Sequence, residues 1–162
     1  MTPLHHGSCH CGLVRFRVSG EPSGVVACTC SICRKKGYLH WIVPPERFEL
    51  VSGADALTTY RFGTGVAQHH FCRSCGMHPF YVPRSDPDKI DVNVRCLDDV
   101  DLTTIEIGTF DGQSWEESIQ GHLPWRELFA AKPLREASVV ATEVLTGEDG
   151  PEYGRTAEET TR

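Results

Sequence analysis

Seven of the eight cysteines in this 162-residue chain fall into three short clusters: Cys9 and Cys11 in CHCG, Cys28, Cys30 and Cys33 in CTCSIC, and Cys72 and Cys75 in CRSCG. No other feature constrains the fold as tightly. Residues i and i+2 leave the same face of an extended chain, and a C-x-x-C turn curls two sulfurs to one side. Each cluster can therefore present two or three thiolates to one tetrahedral centre. Gly12 and Gly76, directly after Cys11 and Cys75, suit such turns because glycine tolerates positive φ. Spacing of this kind points to zinc rather than to disulfides.

Seven ligands do not complete two sets of four. One partition joins Cys9 and Cys11 to Cys72 and Cys75 in a closed site of four thiolates, the form in which structural zinc is held. Cys28, Cys30 and Cys33 then make a three-thiolate site whose fourth position is open or filled from elsewhere, as in catalytic zinc. Two Zn²⁺ per chain are expected, and the closed site would tie the N-terminal hairpin to a strand far along the sequence. Metal binding there would be folding energy, on the order of 10 kcal/mol.

The segments LVRFRV (13–18), FELVSG (48–53), LTTYRF (57–62), FYVPR (80–84) and KIDVNV (89–94) alternate apolar and polar residues and read as short strands between Gly, Pro and Asp turns. Helical signal is confined to one turn at Ser31 to Lys36 and to SWEESIQ (114–120), both expected at the periphery. A mainly β domain is expected over 1–135. From Glu136 onward the chain holds seven acidic and two basic residues and few large apolar ones, and 136–162 reads as a mobile acidic tail.

The overall net charge of −6 thus resides mostly in the tail, and the nearly neutral body has no basic stripe to neutralise a phosphate backbone. Nucleic acid is not an expected partner. No apolar run is long enough to span a membrane and the N-terminus lacks a secretory apolar stretch, so a cytoplasmic protein without a membrane partner is expected. Exposed strand edges leave room for a homodimer.

The order C-x-C-G, C-x-C-x-x-C followed by KKG, and HFCxxCG resembles the glutathione-dependent formaldehyde-activating enzyme family, which also includes centromere protein V. The resemblance spans roughly Gly7 to His122 and takes in FYVPRSDP (80–87), NVRCLDD (93–99) and FDGQSWEESIQGH (110–122). It implies a zinc-bound β-sandwich of the β-tent kind, with structural zinc on Cys9, Cys11, Cys72 and Cys75 and catalytic zinc on Cys28, Cys30 and Cys33. The implied activity is that of a carbon–sulfur lyase, S-(hydroxymethyl)glutathione synthase, in which the thiol of glutathione adds to formaldehyde. Three thiolates leave Zn²⁺ a poor generator of hydroxide but a good partner for a fourth, soft thiolate, which fits thiol addition better than hydrolysis. The alternative is a non-catalytic carrier that captures glutathione at the open zinc.

Outside the clusters, Cys96 is a candidate to line the open site, against a small buried hydrophobe. His69 and His70 precede Cys72, and on a strand one would face inward and the other outward. Either, His70 among them, is a candidate to orient substrate or supply a fourth ligand, against a structural histidine. Arg84 can hold a carboxylate of a peptide-like thiol bidentately, and Lys35, with Lys36, can attract an anionic substrate. Trp41 and Phe71 flank the clusters as wall or core residues.

Overall fold

Alternation between apolar and polar side chains sets the strands, and glycine, proline and aspartate end them. A computed structural model of the protein describes residues 1–121; the end of the expected domain at 122–135 and the expected tail at 136–162 lie outside the described residues. Ten strands and two helices follow one another in this stretch. They are β1 (Leu4–Ser8), β2 (Arg15–Ser19), β3 (Val25–Cys28), α1 (Ser31–Lys36), β4 (Leu39–Val43), β5 (Phe48–Ser52), β6 (Leu57–Tyr60), β7 (His69–Cys72), β8 (Phe80–Tyr81), β9 (Ile90–Asn93), β10 (Ile107–Phe110) and α2 (Trp115–Gly121). The protein is mainly β, as expected. Among the described residues no helix is long and apolar enough to cross a membrane.

The strands form three sheets, ordered β1-β2-β5, β10-β3-β4-β9-β8 and β6-β7. Their inner faces share one core. Phe16 of β2 stacks on Phe48 of β5 at 5.5 Å, and Phe80 of β8 meets both rings edge-on at 5.9 and 4.7 Å. Gly7 of β1 makes this possible, because a Cβ there would collide with the Phe16 ring. Val18, Trp41, Val43, Val92 and Val94 fill the rest and are almost wholly buried. Burying each large apolar side chain contributes about 1.5–3 kcal/mol.

The five-stranded sheet positions the chemistry, because period-two alternation sends its side chains to opposite faces. Leu39, Trp41 and Val43 of β4 enter the core together with Val92 of β9. Cys28 and Val26 of β3, His40 and Ile42 of β4, Tyr81 of β8, Asp91 of β9 and Phe110 of β10 line a cavity on the other face. The register agrees: Val26 pairs with His40, Ile42 and Tyr81 both pair with Asp91, and Phe110 lies beside Cys28.

His69 and His70 on β7 face opposite sides of the strand, yet both are buried, at 5% and 2% exposure. The two-stranded β6-β7 sheet is covered on both sides: His69 stacks between Phe62 and Tyr81, while His70 packs on Phe80 and bonds Thr59 Oγ1 through Nδ1 at 2.9 Å.

Candidate functional site: two cysteine centres and a cavity

The first centre forms where the turn after β1 meets the turn after β7. The ligand atoms of Cys9, Cys11, Cys72 and Cys75 all lie within 4.8 Å of one another. Cys9 Sγ is 3.5 Å from Cys11 Sγ, which is 3.7 Å from Cys72 Sγ. A tetrahedron with Zn–S of about 2.3 Å needs sulfurs about 3.8 Å apart, so the donor set fits zinc with little adjustment. Local backbone explains the convergence: Gly12 N–H donates to Cys9 O, Gly76 N–H donates to Cys72 O, and both glycines have positive φ, +75° and +71°. Val14 N–H also donates to Cys9 Sγ at 3.3 Å.

The second centre lies where β3 runs into α1. Cys28 ends the strand; Cys30 caps the helix, its Sγ accepting from Cys33 N–H at 3.5 Å; Cys33 sits in the first turn, buried. Cys30 N–H donates to Cys28 Sγ at 3.5 Å. Hydrogen bonds from the Cys28 and Cys33 thiols, aided by the Cys33 and Ile32 amides, hold Cys30 far below the usual thiol range. The Cys33 thiol is pushed correspondingly up by its bonds to Cys28 and Cys30 and by burial. Such a proton-sharing cluster releases protons when a cation binds.

Here the structure adds a residue that spacing did not reveal. The group whose ligand atoms lie within 4.8 Å of one another is Cys28, Cys33 and His40, with Cys30 outside that limit. His40 Nδ1 donates to Asp91 Oδ2 at 2.8 Å, and Asp91 is buried on the diagonal position of β9. Tyr38, whose hydroxyl donates to Asp91 O at 2.7 Å, backs the imidazole with ring centroids 4.6 Å apart. The signal was a histidine inside the apolar run LHWIV.

The second centre opens onto a cavity of about 480 Å³. Val26, Ile32, Ile42, Phe62, Phe110 and Trp115 form much of its wall. Gly112 brings backbone against the cysteines: a Cβ there would collide with Cys28 Sγ and come within 2.7 Å of Cys30 Cβ. The surrounding loop is tied down by Thr29 Oγ1, which donates to Asp111 at 2.8 Å.

The remaining candidates separate clearly. Arg84 lines the cavity, with its guanidinium 3.4 Å above the Trp115 ring and Nη2 donating to Glu116 at 3.2 Å. Lys35 is exposed on α1, whereas its neighbour Lys36 is half-buried and donates through Nζ to His69 Nδ1 at 3.3 Å. Burial brings Lys36 down to about 8 and, with Lys36 beside it, His69 down to about 3. His69 lines the cavity, and His70 sits in the core behind it. Cys96, in a 3-10 turn (Val94–Cys96), is a buried hydrophobe with its Sγ 3.8 Å from His78 O and does not line the cavity. Trp41 is core and Phe71 packs on His78 at 5.2 Å.

Comparison with known proteins agrees with this architecture. The sequence profile described as "Glutathione-dependent formaldehyde-activating enzyme" matches residues 4–120. A Halomonas elongata protein, provisionally named a glutathione-dependent formaldehyde-activating enzyme, is 40% identical over 81 residues, which cover 44% of this chain and 52% of that protein. The chain thus spans about half the length of this curated relative. A crystal structure of a Rhodobacter sphaeroides protein, a structural genomics target, superposes with a TM-score of 0.57 at 37% identity, covering 60% of this chain and 92% of that one.

Proposed function

Because this chain belongs to the glutathione-dependent formaldehyde-activating enzyme family, we propose that it is a zinc-dependent enzyme of the carbon–sulfur lyase type. It joins a thiol such as glutathione to a small aldehyde such as formaldehyde. The observation that carries the reading is the inequality of the two centres: four cysteines converge in the first, while the second opens onto a cavity. In this reading Cys9, Cys11, Cys72 and Cys75 hold a structural zinc, and Cys28, Cys30 and Cys33 hold the working one.

The reaction forms one S–C bond, opens the carbonyl π bond, and moves the thiol proton to the aldehyde oxygen. A zinc held by Cys28, Cys30 and Cys33 would lower the pKa of a substrate thiol and favour its thiolate form. The apolar walls exclude water that would hydrate the aldehyde. Arg84, on the cavity rim, binds a carboxylate of the thiol substrate. Lys36 Nζ, with an ammonium that burial makes a readier donor, passes its proton through His69 toward the aldehyde oxygen.

The experiment is to follow adduct formation by NMR in mixtures of glutathione and formaldehyde, with and without zinc-loaded protein. A rate above the uncatalysed one, proportional to protein, is expected. Saturable binding of glutathione with no change in rate would instead make the protein a carrier.

A further inference from the structure

His40 is poorly explained as a core residue. It lies at 5% exposure in an apolar strand, and its Nδ1 proton is committed to Asp91 Oδ2 at 2.8 Å. That bond fixes the tautomer, because the imidazole is then protonated on Nδ1 and carries its lone pair on Nε2. Nε2 is buried and has no hydrogen-bond partner among the described residues. A buried acceptor left unsatisfied carries the full penalty of its desolvation. Asp91 is itself 1% exposed and its Oδ1 is also unpartnered, so this pair is expensive unless something lies at the open nitrogen. A ligand atom of His40 is within 4.8 Å of those of Cys28 and Cys33.

We infer that His40 is the fourth protein ligand of the second centre, through Nε2, with Asp91 as the carboxylate that orients it. The inference rests on the reading of that centre as a zinc site and adds a residue to it. Metal-bound imidazoles commonly donate their other N–H to a carboxylate, and this pair has that arrangement before any metal is present. The resting centre then carries three thiolates and one neutral nitrogen. His40 lines the cavity together with Cys28, Cys30 and Cys33, so a zinc held by these four would be reached from it.

Cobalt(II) substitution of the full-length protein reads this directly, because its ligand-field and thiolate charge-transfer bands report the number of sulfurs. His40→Cys should retain two metal equivalents and gain charge-transfer intensity for one additional thiolate. His40→Ala should weaken the second metal by at least tenfold in chelator competition while the first is kept. Asp91→Asn should weaken the same equivalent by about 10–100-fold. If His40→Cys folds with a cobalt spectrum identical to that of the wild type, the inference is wrong, and unchanged second-site affinity in both His40→Ala and Asp91→Asn overturns it equally. These readouts need no substrate. A protein that shows them but never accelerates adduct formation keeps His40 as a ligand and loses the proposed reaction, whereas turnover with unmoved spectra does the reverse.

Discussion

At the scale of single residues, the second centre depends on the absence of a side chain. Gly112 leaves room for Cys28 Sγ and Cys30. Gly112→Ala should therefore displace the knuckle and release about one zinc equivalent, with the other kept, as measured by metal analysis after gel filtration; full retention of both would show that the loop can retreat. Arg84→Met should raise KM for a carboxylate-bearing thiol by about tenfold, or roughly 1.4 kcal/mol, with kcat little changed. Titration kinetics with glutathione and with a neutral thiol would show whether the loss is specific to the carboxylate. His70 gives the pH prediction. Burial lowers it to about 4, so below about 6.5 the unfolded chain binds a proton that the folded one refuses, and stability falls as pH drops from about 6.5 towards 4. His70→Gln lacks this proton uptake. The stability gap between wild type and variant, followed by urea unfolding at matched metal content, should move in favour of the variant by about 3 kcal/mol across that window.

At the scale of elements, strands with one polar face were legible and strands inside continuous apolar or cysteine-rich runs were not. Phe48–Ser52 and Leu57–Tyr60 fall inside expected segments, and Arg15–Ser19 runs one residue past its own. β4 escaped notice because LHWIV is buried along its whole length, which removes the alternation that marks a half-buried strand. His40 was hidden for the same reason: its importance depends on β9 pairing beside it and placing Asp91 diagonally across, a contact between residues far apart in sequence. The cysteine knuckles were readable because their ligands are local, two or three residues apart. Helix α1 was expected at the periphery yet carries the second centre. Cys30 caps it, and Gly37, with φ of +63°, ends it. Replacing Cys30 should therefore cost the helix its cap as well as a thiolate. Cys30→Ser, which restores a capping oxygen, should recover secondary structure by circular dichroism without recovering the metal affinity of the second centre.

At the scale of the whole molecule, the proposed function divides labour between the two centres, one holding and one reacting. The first joins the turn after β1 to the turn after β7, which belong to different sheets, so its loss should loosen the fold. Cys72→Ala or prolonged chelation under reducing conditions should lower the midpoint of thermal unfolding strongly, since a structural zinc contributes on the order of 10 kcal/mol. Cys33→Ala should cost much less stability, and differential scanning calorimetry of the two variants compares them directly. Spacing offered the pairing of Cys9 and Cys11 with Cys72 and Cys75 as one partition, the family resemblance implied it, and the fold brings those four ligand atoms together. The cavity was not legible, because its walls come from the five strands of the central sheet together with α1, α2 and β7, which only the tertiary fold brings together.

The central claim is that the second centre, and not the first, meets the thiol substrate. Titrating glutathione into the protein loaded with two cobalt(II) ions tests it most directly. The account predicts that one cobalt gains a saturable thiolate charge-transfer band while the other is unchanged, and that Cys33→Ala abolishes the response. A spectrum that stays fixed at saturating glutathione, or that changes equally in Cys33→Ala, would contradict it.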